Sequence, residues 1–228
     1  MSTEPAGNRT EQGKELHREF VGMLFALAIA EVAVAASAVA AFSTKHGLGF
    51  TAVLPAYTHL VLAAIVIATS WVGWGASKHG LSFVTSVFSK GFFELLIDVW
   101  LVIAYFLLVK GVDTVEVPEN GAARITSSLH GEALWIMVIF ITYAFWDAWT
   151  KIGPYGIPKN LPEYSKRGWA SIVCALLAGI AFVAFRNSTN VGTVQAVLGD
   201  SSLLMLVLLF RAMKLADYGR FTPRQRTL

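Results

Sequence analysis

The chain has 228 residues, 55% of them hydrophobic and only 14% charged, with a formal net charge of +3 at pH 7. A soluble domain carries roughly a quarter charged residues, so an ordinary soluble fold is excluded. The basic residues are scattered over short loops and a tail, and no nucleic-acid partner is expected.

Mean hydropathy is +0.59, and the apolar residues fall in long blocks rather than amphipathic stripes. Such blocks predict an all-α, polytopic helical membrane bundle whose first partner is the lipid bilayer. Met1 to Glu15 is polar and expected to be disordered, and residues 1–17 form a cytosolic N-terminal segment. The first apolar block is Phe20–Phe42. Lys14 and Arg18 precede it, and Ala38-Val39-Ala40 resembles a cleavage site. Yet the block exceeds the about 7–15 residues of a signal-peptide core and contains Glu31, so a retained first span is expected. Glu31 lies roughly 16 Å along a helix from Phe20, near mid-membrane. An ionised carboxylate is costly there, which leaves a neutral hydrogen-bonded acid or a proton- or cation-binding site. Ala26, Ala30, Ala33, Ser37 and Ala41 recur at three- and four-residue steps, a face suited to close helix packing within the chain or between copies.

The second block is about Ala56–Ala76, set off by Pro55, and the third is about Phe92–Val109. The fourth is about Glu132–Trp149 and the fifth about Gly168–Phe185. Leu203–Phe210 alone cannot cross about 30 Å, so a sixth span must start near Val194 and carry Asp200, Ser201 and Ser202 inside. Five spans plus a shallow helix is the alternative. With six transmembrane helices and a cytosolic N-terminus, only Lys45, Lys110, Arg124 and Arg186 of the 18 Lys and Arg lie outside, which predicts that the C-terminus is cytosolic too. The transmembrane domain is then 18–214, and 215–228 is a basic cytosolic tail suited to anionic headgroups. The bacterial cytoplasmic membrane is the expected location.

Between the blocks, Gly111 to Gly131 reads as an external loop whose Asp113, Glu116 and Glu119 are either solvated or an acidic rim. Pro154, Pro158 and Pro162 forbid a continuous helix over Ile152 to Lys166. Leu81 to Phe88 is expected in the membrane interface. Trp71, Trp74, Trp146 and Trp149 read as headgroup anchors, with Ser70-Trp71 as a pore-lining candidate. The lone Cys174 sits in an apolar run and makes no intramolecular disulfide.

Glu94 and Asp98 are four residues apart, on one helix face and about 6 Å apart along the axis. Glu94 is expected near the cytosolic surface and Asp98 deeper. Asp147 and Arg211 are expected at the same end, giving a network with Arg211 between carboxylates. Such a network either locks helices together or forms the inner part of an ion or proton path. His59, His130 and Glu132 fall near the outer ends of spans two and four and are a weak metal-ligand set, without HxxxH or ExxH spacing. No Ser-His-Asp constellation, glycine-rich phosphate loop or CxxC motif occurs, so no enzyme class or cofactor is indicated.

Arg18-Glu19-Phe20 followed by Phe25-Ala26-Leu27-Ala28-Ile29-Ala30 resembles the opening helix of the lysosomal six-helix potassium channels and their bacterial relatives. Ser70-Trp71, the later His79 and the span count extend the resemblance. Val21-Gly22 stands where that family has Ser-Asp, and Glu31, Glu94, Asp98 and Asp147 have no counterpart in its pattern. The resemblance implies an oligomeric channel in which Leu24, Leu27 or Ile29 of the first span constricts a pore.

The residues together predict an ion channel or transporter, homo-oligomeric, that moves monovalent cations or protons past Glu31, Asp98 and Glu94. A non-transporting assembly or scaffold component is the alternative, and a metal-dependent membrane enzyme a third.

Overall fold

The computed structural model describes residues 6–76, 88–116, 123–151, 161–186 and 192–221. Helix α1 runs over Ala6–His46, so much of the segment expected to be disordered is helical. Glu11, Gln12, Lys14 and Glu15 are good helix formers, and no proline follows Pro5 there to stop the helix. Gly47, at φ +62°, ends α1. Leu48 N donates to Ser43 O at 3.0 Å and Gly47 N to Thr44 O at 3.4 Å, a left-handed cap that reverses the chain.

Helix α2, Phe50–Ala76, starts earlier than expected and carries Pro55 inside rather than before it. A proline this close to the start removes one backbone donor near the end of the helix, where the loss is least disruptive. Helix α3, Lys90–Val109, begins at Ser89, whose side chain accepts from Phe92 N. The expected loop after it instead folds back as strands β1, Val112–Glu116, and β2, Ala123–Ser127. They pair antiparallel, with Val112 opposite Ser127 and Glu116 opposite Ala123. The bundle is therefore helical with one small hairpin at an end. Helices α4, Leu129–Lys151, α5, Leu161–Phe185, and α6, Thr193–Phe221, complete the described elements. Residues 81–87, Glu119, and most of Ile152 to Lys166 lie outside the described residues or their described side chains.

Among the described residues, five helices are long and apolar enough to cross a membrane: Glu15–His46, Phe50–Gly75, Lys90–Val109, Leu129–Trp149 and Thr193–Lys214. The part of α5 whose side chains are described, Trp169–Phe185, is a shorter apolar stretch. Thr193–Lys214 carries its polar interruption at residues 200–202 with partners for each residue. Ser201 and Ser202 donate to the carbonyls of Val197 and Leu198, and Asp200 accepts from Thr58. Helix α6 also continues past 214, into the stretch expected to be a tail.

The helices close a ring: α1 packs on α2 and α3, α2 on α6, α6 on α5, α5 on α4, and α4 on α3. Contacts of α2 with α3 and of α4 with α6 fill the centre. Leu62, Ile67, Tyr105, Leu108, Ile136, Phe140 and Phe210 form the core. Large apolar side chains also face outward, among them Val34, Leu176, Ile180, Val183, Met205 and Leu209. A helix apolar on both faces is at rest only when its outer side meets hydrocarbon or another protein. The chain is built as a multi-pass membrane bundle.

Candidate functional site

Two polar clusters lie inside the ring. At the hairpin end, His59 of α2, Glu132 of α4 and Asp200 of α6 are 0%, 1% and 1% exposed. His59 Nδ1 lies 2.7 Å from Glu132 Oε1. The other ring nitrogen, Nε2, is 2.9 Å from the Leu108 carbonyl and can only donate to it. With that proton placed, the short Nδ1–Oε1 approach holds a second proton, on the imidazole or on the acid. Asp200 accepts from the Thr58 hydroxyl and is within electrostatic reach of both His59 and Glu132. Three isolated charges cannot be buried together at bearable cost. The contacts that offset this cost are the His59–Glu132 approach and the hydrogen bonds to the Leu108 carbonyl and from Thr58.

The second cluster lies at the far end, around a cleft of ≈ 70 Å³. Tyr143 of α4 is its hub. The Tyr143 hydroxyl contacts Ser70 Oγ of α2, is 3.0 Å from Tyr105 Oη of α3, and accepts from Arg211 Nη2 of α6 at 3.3 Å. Arg211 also lies over the rings of Tyr143 and Phe210, 5.4 Å from each centroid. The guanidinium reaches this position across Gly73, where a Cβ would stand 2.1 Å from Nη1. No larger residue there leaves the Arg211 side chain where it is. On the other wall, Asp98 Oδ2 accepts from Trp74 Nε1 at 3.1 Å and lies 3.5 Å from His17 Nε2 of α1. Lys214 pairs with Asp147.

A common spacing relates the two clusters. His59 and Ser70, Glu132 and Tyr143, and Asp200 and Arg211 are each eleven residues apart along their helices. Eleven residues are three helical turns, so each pair shares a face and is separated by about 16 Å. Between the levels the centre is apolar: Val66, Ile67, Ile136, Phe140, Leu203 and Val207 are buried and belong to one core cluster. The arrangement is two polar clusters divided by an apolar layer.

The expected site residues are partly brought together and partly dispersed. Asp98 lines the cleft, as do Asp147 and Arg211, but Arg211 does not bridge carboxylates. Among the described residues its partners are the phenol of Tyr143 and two aromatic faces, while the acids are taken by Lys214, by His17 with Trp74, and by Lys90 at 3.9 Å from Glu94. Glu94 is buried rather than near open water. Glu31 stands at the middle of the apolar stretch Glu15–His46. Its side chain is 22% exposed and pairs at 2.7 Å with Lys110, itself 70% exposed, just past the end of α3. It is thereby held apart from Asp98, which meets His17 of the same helix. Within the chain, Leu27 and Ile29 face outward at 51% and 41% exposure, and Leu24 packs on the core, so no constriction forms inside one copy. His130 is separated from His59 and Glu132: it stacks on Phe182 and meets that residue's carbonyl at 3.3 Å. Among the described residues, no group of three or more His, Cys, Asp or Glu is arranged to hold a metal ion. Ser70 faces inward and Trp71 outward.

His17, Thr58, Tyr105, Tyr143 and Asp200 were not predicted as site residues. The eleven-residue spacing was the available signal, since it repeats on three blocks with an acid or histidine at one end and a hydroxyl or guanidinium at the other. No protein-family model, curated protein or solved structure matches the chain.

Proposed function

We propose that the chain is a membrane transport protein that moves protons between the two polar clusters, with the His59–Glu132–Asp200 cluster as the proton-holding station. The observation that carries this reading is the short His59–Glu132 approach in a fully buried site, stacked three turns from a second polar cluster on the same three helices. The residue types suit protons better than metal ions. Imidazole, carboxyl and hydroxyl groups exchange protons, whereas a bare cation at the far end would meet Arg211 and Lys214. The packed apolar layer favours alternating exposure of the two clusters over an open pore. The Lys and Arg distribution supports a cytosolic far end and both termini inside.

A second reading has its own support. The α1 face of Leu27 and Ile29 is outward, as are Ala26, Ala30 and Ala33. In a homo-oligomer that face can border a central pore, the arrangement implied by the resemblance to the six-helix potassium channels. Reconstitution separates the two. With an entrapped pH dye and an entrapped potassium dye, proteoliposomes are expected to acidify under an imposed gradient while potassium flux stays at the level of empty vesicles. Potassium flux with no proton flux replaces the first reading by the second. Neither flux leaves the polar clusters as helix-locking elements of an assembly component.

A further inference from the structure

We infer that the far-end cleft is a binding site for a small organic acid, with Arg211 holding its anionic group and the aromatic walls holding its apolar body. The cleft encloses ≈ 70 Å³, below the about 300–1,000 Å³ of drug-sized sites, which limits the ligand to a compact one. Its charges are unevenly satisfied. Lys214 is paired with Asp147, and Asp98 has Trp74 and His17. Arg211 has no carboxylate within ion-pair distance among the described residues, and its Nε has no hydrogen-bond partner there. A guanidinium has five N–H donors in a planar fork matched to a carboxylate or phosphate. Here one amino group meets a phenol oxygen and the rest of the group lies on ring faces. That contact set orients the guanidinium without neutralising it, and its place beside Gly73 keeps it at the cleft wall. Phe25, Trp74, Tyr105 and Phe210 supply the apolar lining.

The ligand is therefore an anion with a flat or compact hydrophobic body. Asp98 Oδ1, which is buried and has no hydrogen-bond partner among the described residues, favours a ligand that also carries a donor. Binding stands apart from proton movement, although an acid that binds at Arg211 is a natural co-substrate of the proposed proton path.

Equilibrium binding tests the proposal without any flux measurement. The probe is benzoate, titrated against the purified chain in neutral detergent while tryptophan fluorescence is followed, since Trp74 and Trp146 line the cleft. Saturable quenching by benzoate is expected, with the neutral isostere benzamide weaker by about tenfold or more, the size of one charge-assisted contact. Arg211→Gln is expected to erase the preference for benzoate while benzamide still binds, which shows that the variant is folded. Arg211→Lys keeps the charge without the fork and is expected to bind benzoate with intermediate strength. An anionic phospholipid that competes with benzoate assigns the anion to a lipid headgroup, and no competition assigns it to a soluble acid. Equal affinity for benzoate and benzamide, or an unchanged preference in Arg211→Gln, overturns the proposal. Loss of proton flux with benzoate binding intact would remove the transport reading and leave this one standing.

Discussion

Replacing Glu132 with alanine is expected to lower the stability of the bundle by about 3–5 kcal/mol, the usual cost of removing one member of a buried charged pair. The cost arises from what remains. His59 keeps its Leu108 contact but loses the group 2.7 Å from Nδ1, and Asp200 keeps only Thr58 against its burial. Water cannot compensate easily, because all three residues are essentially unexposed. Unfolding in mixed micelles by a denaturing detergent measures the effect. Adding His59→Leu is expected to restore part of the loss, so that the double variant falls short of the two single losses by about 0.5–3 kcal/mol. A loss below about 1 kcal/mol for Glu132→Ala, or strict additivity, would mean that the cluster is not the interlocked unit described.

Tyr143→Phe is the second large expected effect, because one oxygen serves three neighbours on three other helices. The ring itself is undisturbed: its stacking on Phe210, at 5.6 Å and 3°, needs no hydroxyl. Ser70 retains its bond to the Val66 carbonyl. Tyr105, fully buried, is left without the phenol at 3.0 Å, and Arg211 loses its one hydrogen bond among the described residues. A buried donor without a partner costs about 1–3 kcal/mol, and a charged one more, so a loss of about 2–4 kcal/mol is expected in the same unfolding assay. A change within about 0.5 kcal/mol, the range of an ordinary surface substitution, would show that Tyr143 is a packing residue and not a hub.

The span pattern was legible because hydrocarbon demands long apolar segments with satisfied backbones, and composition reports that directly. The third and fourth blocks agree with α3 and α4 to within three residues at each end, and the other four each fall inside a longer helix. The differences have local causes. The polar start of α1 was read as disorder because its residues bury little, yet they are strong helix formers with a long apolar helix to extend. The hairpin after α3 was read as loop, since Val112–Glu116 and Ala123–Ser127 are each five residues long, too short for a periodicity of two to stand out.

Partners were the harder quantity. Counting from Phe20 puts Glu31 near the middle of its block, and it is near the middle of the apolar stretch Glu15–His46. Block boundaries alone cannot show how neighbouring helices are offset, and that offset sets His17 beside Asp98 and Glu31 beside Lys110. Asp200 was visible as a polar interruption and was treated as a difficulty for the sixth span. Its meaning came only from the partners across the ring, Thr58, His59 and Glu132, which are 142, 141 and 68 residues away in the chain. Arg211 shows the same limit: proximity to carboxylates at one membrane level was foreseeable, but the choice of a phenol over an acid depends on helix rotation.

The most direct test compares initial rates of proton uptake by proteoliposomes carrying the wild type, Asp200→Asn or Glu31→Gln under one pH gradient. Asparagine at 200 preserves shape and the Thr58 contact but removes an ionisable group from the buried station. Uptake is expected to fall by about tenfold or more in Asp200→Asn, as for loss of a positioned proton-transfer group, and to match the wild type in Glu31→Gln, whose carboxylate pairs with Lys110 outside the cluster. Wild-type uptake in Asp200→Asn, or loss in Glu31→Gln with Asp200→Asn intact, would contradict a proton path through the His59–Glu132–Asp200 cluster.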